Sequence, residues 1–422
     1  NGFTRPIGAA WDIGADECIP FCVLGTNLEM IANGRTAVSI ADGTDYGTVV
    51  MGNSRTHTFT ITNGLTNAVS LGLITTNASG NPADFVVVAQ PASSLAAGTT
   101  TSFQVRFAPS AVGARWSDAQ FTNTAMTVPY SFRLQGTGMA SKCVYYSVGQ
   151  NTNDHKTGTP TLTITGGAGV FSEAQTAVNM GVGDRVTYNS SSVAYISGKI
   201  STSIWTLVDA RGGTPPDVTN AAVDSITHEF SSLWAAIESA DDANHLGTAN
   251  LTAGYILHIP CYYDSGPDSN EVDISVWTWT TSATNYIRVY TPTNTAADCN
   301  RSQRHSGRWS TNAYRLQVRS QSGSISALAV DVAYTKITGL QISYDAGGFG
   351  GYGINIFWLN DMGVDISGCI LREVSAVKNA YGIAIGDAGK NCRLWNNIID
   401  GFNVGIYCKW EIAPFLYNNT IC

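Results

Sequence analysis

TKITGLQIS, residues 335–343, is the first of four similar segments in the last third of the chain. The others are VDISGCILR at 364–372, CRLWNNIID at 392–400 and PFLYNNTIC at 414–422, so the pattern returns after 29, 28 and 22 residues. Short apolar segments at 353–356, 382–385 and 405–408 recur between them with the same period. Two interleaved motifs of strand length predict a solenoid, in which each coil of strands stacks on the coil before it.

The composition favours short strands joined by turns. Only 13% of the residues are charged, against about a quarter in a typical soluble chain, while 44% are hydrophobic and 43 are glycine. Thr, Ser and Asn fill the difference, and this mixture suits strands and turns. The net charge of −8 with scattered Lys and Arg excludes the clustered basic face that a nucleic acid partner needs. No apolar run is long enough to span a membrane.

The nine cysteines indicate buried thiols more than a metal site. Their spacings match no zinc-binding pattern, so we expect no metal. Cys408 falls where isoleucines stand in the second set of segments, and Cys369 falls where a leucine stands in the first, which predicts that both are buried apolar residues. Cys261 and Cys299 flank the first coils, and the proximity of their predicted strands makes them a candidate disulfide.

Residues 1–22 contain DIGADE at 12–17 and resemble the closing segment that follows β-helix domains in bacterial surface proteins. The resemblance implies that another β-helix precedes residue 1; the alternative is an exposed linker. The repeat at 414–422 breaks off in mid-pattern, and an uncovered solenoid end exposes apolar core and unpaired strand edges. We therefore expect further coils, or a cap, after Cys422.

The sequence pattern of residues 23–140 predicts an antiparallel β-sandwich. THTFTIT at 56–62 and TSFQVRF at 101–107 alternate with period two, and turn residues separate about seven such strands. The segment resembles the choice-of-anchor D family, Ig-like modules related to Hydin-type repeats in secreted bacterial proteins. That resemblance implies a spacer or adhesion module. It rests on DGTDYG at 42–47, FTITN at 59–63, DF at 84–85, LAAG at 95–98, FQVRFAP at 103–109 and GTG at 136–138.

Residues 141–422 open with VYYS at 144–147, a phrase similar to the first strand of pectate-lyase-like β-helices. That resemblance implies a right-handed parallel β-helix whose first coil is covered by a capping helix. Residues 227–240 suit the helix, because Phe230, Leu233, Trp234 and Ile237 share one helical face. Residues 158–222 do not repeat and predict a small inserted β subdomain of unknown role. The fold class predicted for the whole chain is therefore all-β.

Alternation along the strands assigns the side chains to faces. Ile337, Ile366, Leu394 and Leu416 are expected to point inward, as are Ile342, Leu371, Ile399 and Ile421. Two columns then point outward, and we predict ligand contacts there. One column holds Lys336, Asp365, Arg393 and Phe415, which suits carbohydrate or a solvated ion ladder. The other holds Thr338, Ser367, Trp395 and Tyr417, whose aromatic rings suit either the apolar face of a sugar or packing beneath a loop or against a neighbouring domain. Asn396–Asn397 and Asn418–Asn419 predict a structural asparagine ladder at the corner.

Catalytic residues are not identifiable. Hydrolases of this type need two acids at a set separation, and lyases need a basic residue beside a bound carboxylate. Asp264, Asp268, Glu271 and Asp273 form an acidic loop that lacks the regular spacing of calcium-binding loops, so we expect a solvated loop and no cofactor. Residues 301–309, RSQRHSGRW, form a basic loop that either grips an anionic glycan or is simply exposed.

The sequence thus predicts a piece of a secreted or cell-surface bacterial protein, extracellular in location. Its expected role is a non-catalytic scaffold for adhesion, with polysaccharides or cell-surface glycans as partners. The alternative is a polysaccharide lyase or glycoside hydrolase, because β-helices carry both roles.

Overall fold

A computed structural model describes residues 21–77, 79–275, 277–321, 323–357, 363–386, 391–409 and 414–422. The segment predicted at 1–22 lies outside these ranges except for its last two residues. The described chain is built almost entirely of strands, which confirms the all-β prediction. It divides into two compact units, one ending at Ser141 and the other beginning at Lys142.

The first unit contains two sheets and a short pair of strands. Its strands are β1 Cys22–Leu24, β2 Met30–Ile31, β3 Asp45–Val50, β4 Arg55–Thr62, β5 Val69–Ser70, β6 Thr75–Thr76, β7 Phe85–Ala89, β8 Ser94–Leu95, β9 Thr100–Phe107, β10 Gly113–Phe121 and β11 Tyr130–Met139. One sheet has the order β2-β1-β4-β9-β7 and the other β3-β11-β10-β6, while β5 pairs with β8. A short 3-10 helix at Pro82–Asp84 precedes β7.

Aromatic residues join the two sheets of the first unit. Phe59 of β4 lies opposite Phe103 of the antiparallel strand β9, and their ring centroids are 5.4 Å apart. Phe132 of β11, in the other sheet, packs at 5.4 Å from the Phe59 ring. All three rings are buried, because the period-two pattern of β4, β9 and β11 turns every second side chain inward. The two sheets therefore pack face to face across an aromatic core.

The second unit contains the remaining strands and the α-helix that is described. The strands are β12 Lys142–Tyr145, β13 Thr161–Thr165, β14 Ala168–Phe171, β15 Arg185–Tyr188, β16 Ser192–Lys199, β17 Ile204–Val208, β18 Val218–Thr227, β19 Tyr255–Pro260, β20 Val272–Ile274, β21 Ile287–Tyr290, β22 Arg315–Arg319, β23 Ile325–Val330, β24 Lys336–Thr338, β25 Gln341–Asp345, β26 Gly351–Ile356, β27 Asp365–Ser367, β28 Ile370–Glu373, β29 Ala380–Ile385, β30 Arg393–Trp395, β31 Ile398–Asp400, β32 Val404–Cys408, β33 Phe415–Tyr417 and β34 Thr420–Ile421. Helix α1 spans Leu233–Ser239, and a 3-10 helix spans Leu251–Ala253.

Three parallel sheets, which we call together the stack, make up most of the second unit. The first sheet has the order β12-β19-β21-β24-β27-β30-β33, the second β22-β25-β28-β31-β34 and the third β20-β23-β26-β29-β32. From β24 onward the chain supplies one strand to each sheet in turn, and every neighbouring pair is parallel. Ile337 pairs with Ile366, Ile366 with Leu394, and Leu394 with Leu416. This is the register that the four similar segments predict.

Apolar rows fill the interior of the stack. Ile337, Ile366 and Leu394 are fully buried, and so are Ile342, Leu371 and Ile399 in the second sheet. Leu416 and Ile421 continue these rows but are 46% and 55% exposed. They belong to the last described turn, which has a neighbouring turn on one side only. At the other end of the stack the row residue of the edge strand β22, Leu316, is fully buried.

Asparagines stabilise the corner between the first and second sheets. Asn397 is fully buried; its side-chain amide donates to Ile366 O at 3.0 Å and to Asn419 Oδ1 at 2.9 Å, and its Oδ1 accepts from Cys369 N at 3.0 Å. Asn396 precedes it with φ of +56°, in the left-handed region that glycine and asparagine tolerate best. Gly339, Gly368 and Asn418 hold the equivalent positions, all with positive φ. The predicted asparagine ladder is confirmed.

A closed barrel of six strands lies between β12 and helix α1. Its strand order is β13-β14-β17-β16-β15-β18, and it ends at Thr227, five residues beyond the insert boundary expected at 222. The helix begins at Leu233 because the Ser232 side chain accepts a hydrogen bond from Ala235 N as an N-cap. Leu233 and Ile237 are buried as expected, but Trp234 is 46% exposed, so its assignment to the buried face is wrong.

The candidate disulfide is also wrong. Cys261 and Cys299 are both free and buried. Cys261 belongs to the apolar core of the stack. Cys299 instead forms an isolated backbone β-bridge with Gly181, in the loop before β15, so the two cysteines have different surroundings. Cys369 is fully buried as predicted; Cys408 pairs with Ile385 in the predicted register but is only partly buried against the core. Within the described ranges, no helix has the length and apolar character needed to cross a membrane.

We expect Asn397→Ala to destabilise the protein by at least about 2 kcal/mol, because a buried hydrogen-bonding group left without its partner costs roughly 1–3 kcal/mol. Urea denaturation followed by circular dichroism measures the change. Asn396→Gly is the matched control, since glycine suits the positive φ, and its free energy of unfolding should stay within about 0.5 kcal/mol of the original. Equal destabilisation by both substitutions would contradict a specific role for the buried amide.

Candidate functional site

The first sheet carries a row of charged side chains on its outer face. Lys336, Asp365, Arg393 and Phe415 stand opposite one another on β24, β27, β30 and β33. Arg393 donates two hydrogen bonds to Asp365, from Nε to Oδ1 at 2.6 Å and from NH2 to Oδ2 at 2.5 Å. This paired geometry fixes both side chains and orients the guanidinium. The structure thus brings together the predicted residues Lys336, Asp365 and Arg393, which we call with Phe415 the charged row.

A groove of about 340 Å³ runs along the charged row. All four residues of the row line it. The remaining lining residues are Ala283, Tyr334, Gly363 and Asn391, which precede strands of the same sheet or lie in the loop before β21. We call this space the charged groove. Since strands form its base, the lining side chains are held by the hydrogen-bond register of the sheet.

The charged row continues toward the start of the chain through residues that the sequence did not single out. Lys336 pairs with Arg288, Arg288 with His258, and His258 with Tyr145. Neither Lys336 nor Arg288 forms an ion pair with a described residue. Instead, Lys336 Nζ lies 3.6 Å from the Tyr286 ring centroid and Arg288 Cζ lies 4.1 Å from that of Tyr290. Lys336 and Arg288, which are neighbours on adjacent strands, are therefore each stabilised by a cation–π contact with a tyrosine ring.

His258 is kept neutral in this row. Its burial, followed by the charges of Arg288 and Lys336, lowers the pKa of the imidazole to about 3. The ring is stacked on Tyr145 with centroids 4.6 Å apart. A neutral histidine removes one positive charge from a row that already has two adjacent cations. This part of the row is therefore suited to packing and hydrogen bonding.

An aromatic pair flanks the charged groove. Trp395 and Tyr417 follow Arg393 and Phe415 by two residues and so lie on the same outer face of the first sheet. Their ring centroids are 5.8 Å apart and the planes are inclined by 17°. The stack covers one face of each ring, while Ser367, the neighbour of Trp395 on β27, is too small to cover the other. The predicted aromatic column is thus present beside the groove and partly open.

The third sheet carries a second groove, which the sequence analysis missed. Its volume is about 270 Å³, and Tyr352 and Tyr407 are part of its lining together with Asn355, Phe357, Ala384, Ile385, Gly386 and Lys409. The Tyr381 ring lies between the two lining tyrosines, and its centroid is 5.5 Å from that of Tyr352 and 5.0 Å from that of Tyr407. We call this the tyrosine groove. A signal was present, because GYGI at 351–354 and AYGI at 380–383 repeat a tyrosine 29 residues apart.

The acidic loop is solvated at Glu271 and Asp273, which are exposed as predicted, but the prediction is wrong for Asp264 and Asp268. Asp268 is buried; its Oδ2 accepts from Leu233 N at 2.6 Å and from the Tyr314 hydroxyl at 3.0 Å. Burial raises the pKa of Asp268 above its ordinary value despite these hydrogen bonds. The Asp264 side chain is 1% exposed and accepts from Asn151 N at 2.8 Å. Both carboxylates therefore hold neighbouring segments in place.

Asp264 belongs to a buried network that joins the barrel to the stack. His228 Nε2 lies 3.4 Å from Asp264 Oδ2, and His228 Nδ1 lies 2.8 Å from Asp184 Oδ1. His155 Nε2 lies 3.1 Å from Asp184 Oδ2. His155 is the most exposed of the four side chains, at 12%. Despite this network, no group of three or more His, Cys, Asp or Glu side chains among the described residues is arranged to hold a metal ion.

The basic loop 301–309 packs onto the stack at several points. His305 Nε2 lies 2.9 Å from Gly368 O, at the corner between the first and second sheets. The Trp309 ring lies under Arg372 of β28, with Cζ 3.6 Å from the centroid. Arg301 and Arg308 are exposed. Part of the loop is therefore structural, and of its three arginines Arg301 and Arg308 face solvent.

Comparison with known proteins identifies no family. No family model matches the chain, and no curated protein matches it. A solved structure of the Vibrio cholerae VesB protease is 21% identical over 25% of this chain and 31% of its own length, with a TM-score of 0.20. The secreted serine protease VesC from Vibrio cholerae is 14% identical over 44% of this chain and 45% of its own length, with a TM-score of 0.19. A PapD-like domain of human CEP192 is 15% identical over 32% of this chain and 98% of its own length, also at 0.19. The chain thus spans less than half of either protease, and similarities this weak carry no argument about fold or function.

The histidine network contributes stability in mildly acidic solution that is lost at higher pH. Burial disfavours the charged form of His155, but its hydrogen bond and attraction to Asp184 outweigh burial and raise its pKa above 6.5. Stability from this histidine is present below 6.5 and is lost as the pH rises through the raised pKa. The pKa of Asp184 is lowered to about 2, since attraction to His228 and the hydrogen bonds outweigh burial, so its contribution is lost only in strong acid.

His155→Gln should therefore lower the urea midpoint, relative to the original protein, more at about pH 5.5 than at about pH 8.5. His245 also has a raised pKa, because its hydrogen bonds with Glu229 and Asp242 outweigh burial. The comparison is made against the original protein because His258, whose pKa is lowered to about 3, changes the stability in the opposite direction. His57→Gln is the control, because His57 Nδ1 meets a backbone carbonyl, Gly43 O, at 2.7 Å. An unchanged pH difference in His155→Gln would contradict the assignment.

Proposed function

We propose that the chain is part of a secreted or cell-surface bacterial scaffold that contacts glycans through the charged groove. Residues 141–422 would form a right-handed parallel β-helix of the pectate-lyase-like kind, and residues 23–140 an Ig-like spacer of the choice-of-anchor D kind. The repeated parallel register of the stack supports the first assignment, and the two packed sheets of the first unit support the second.

One observation carries the glycan proposal: an open groove lined by an oriented ion pair lies beside an exposed aromatic pair on a rigid sheet. Sugar rings present hydroxyl groups at their edges and apolar C–H groups on their faces. Arg393 and Asp365 offer donors and acceptors to hydroxyl groups, while Trp395 and Tyr417 offer apolar ring surface. A preformed site of this kind loses little freedom on binding.

The charged groove favours binding over hydrolysis. Among its described lining residues, Asp365 is the single carboxylate, and Arg393 occupies both of its oxygens. Glycoside hydrolases generally use two carboxyl groups about 5–9.5 Å apart. Lys336 is the one candidate base for a lyase, and it lies on the Tyr286 ring. A polysaccharide lyase or glycoside hydrolase is therefore the second candidate function, after glycan binding.

Glycan arrays and binding assays with the full chain test the proposal. We expect Trp395→Ala and Tyr417→Ala each to weaken binding roughly tenfold, because each removes a large apolar ring that would cover a sugar face and tenfold corresponds to about 1.4 kcal/mol. Trp277→Ala is the matched control. Trp277 is 93% exposed in the turn after β20 and lines neither groove, so its removal should leave binding unchanged.

Two outcomes would overturn the proposal. Binding to no glycan, or binding that is insensitive to both substitutions, would exclude the charged groove as the contact site. Release of reducing or unsaturated sugar ends from a polysaccharide, lost in Asp365→Asn or Lys336→Ala, would make the protein an enzyme. Circular dichroism spectra of all variants establish that they are folded.

A further inference from the structure

The tyrosine groove has no lining residue in common with the charged groove and lies on a different sheet. We propose that it is a second saccharide-binding site, so that one chain holds two saccharide chains at once. This goes beyond the proposed function, which needs only the first sheet.

Small residues make the floor of the tyrosine groove. Asn355, Ala384 and Tyr407 stand in one outward column on β26, β29 and β32. The alanine leaves a gap between the asparagine and the tyrosine. Gly386 packs closely against Phe357, because a Cβ atom there would lie 3.3 Å from Phe357 Cβ. The groove therefore opens where Ala384 lacks the bulk that Asn355 and Tyr407 have in the neighbouring turns.

Aromatic rings make the walls. Tyr381 is stacked on Tyr352 and packs at a tilt of 43° against Tyr407, while these two outer rings line the groove. Phe357 also lines it. Stacking alone would stabilise the turns, but it does not account for an open floor, since a larger side chain at 384 would pack against the same rings. The open floor beside aromatic walls indicates a site shaped for a ligand.

The chemistry of the lining selects a sugar ring. The volume of about 270 Å³ is slightly below the roughly 300–1,000 Å³ of pockets for drug-sized molecules, and so suits one ring of a longer chain. The apolar face of a pyranose fits the tyrosine walls, and the Asn355 amide and the phenol hydroxyls supply donors and acceptors. No carboxylate is found among the described lining residues, so the groove offers nothing to a metal ion.

Two sites on one rigid body have a measurable consequence. A chain that holds two saccharide strands cross-links a polysaccharide, and a polymer that reaches both grooves gains affinity through effective concentration. A variant with one intact groove still binds but does not cross-link. Cross-linking therefore reports on the second site separately from simple binding.

Ala384→Leu tests the floor by filling it, with Ala329→Leu as the matched control. Ala329 stands in the same column, one turn before Asn355, and does not line the groove. The probes are dextran, xylan, galactomannan and polygalacturonate, with binding followed by calorimetry and cross-linking by light scattering. We expect Ala384→Leu to abolish cross-linking by the full chain and, in a Trp395→Ala background, to weaken the remaining binding at least tenfold. The Ala329→Leu variant should behave as the original.

Tyr407→Ala provides a second variant should the larger side chain disturb folding, because Tyr407 is 39% exposed and its removal leaves the floor intact. It should also abolish cross-linking. Normal binding and cross-linking by folded Ala384→Leu and Tyr407→Ala would overturn the proposal and leave the tyrosines as a structural stack. Binding that is lost in these variants but unaffected by Trp395→Ala would support this site and contradict the charged groove. Failure of all four probes to bind would overturn both.

Discussion

The parallel hydrogen-bond register between successive turns is the constraint on which the second unit depends. Each turn places an apolar side chain directly over its counterpart, as Ile366 lies between Ile337 and Leu394. A shift of one residue would turn every inward side chain outward, so the buried rows and the register enforce each other. Leu416, in the last described turn, is 46% exposed, whereas Leu316 on the edge strand β22 at the other end of the stack is buried. The same register fixes the positions of the outward residues that line both grooves.

The same register decides which charges meet on the outside. Asp365 lies between Lys336 and Arg393 and pairs with the arginine, which gives an alternating row. Further toward the chain start the alternation fails, since Arg288 and Lys336 are neighbours. Like charges on adjacent strands are unfavourable. The structure offsets this by directing each cation onto a tyrosine ring and by keeping His258 neutral. The cations of this row are therefore held in position although acidic partners are not present for each of them among the described residues.

Sequence reasoning succeeded where the contacts follow from a repeat and failed where they cross the chain. The inward rows, the asparagine ladder and the residues of the charged row all follow from aligning four segments of the same pattern. The burial of Asp264 and Asp268 does not, because their partners are Asn151, His228, Leu233 and Tyr314, which lie 35 to 113 residues away. Trp234 was misplaced for a related reason: helical spacing assigns a face, but a helix of two turns has too narrow a contact to bury all of it. The tyrosine groove was missed because attention to large outward residues overlooks the small ones that leave space.

That last point is general for this architecture. In a stack of near-identical turns, every outward column is continuous unless a residue interrupts it, so a concave site requires a local absence of bulk. Ala384 supplies that absence on the third sheet, and on the first sheet Ser367 stands beside Trp395. The large residues around these gaps contribute recognition surface, but the small ones decide where a ligand can enter. A search for sites in such chains should therefore begin with the smallest residues of each outward column, read turn by turn in the register that the apolar rows impose.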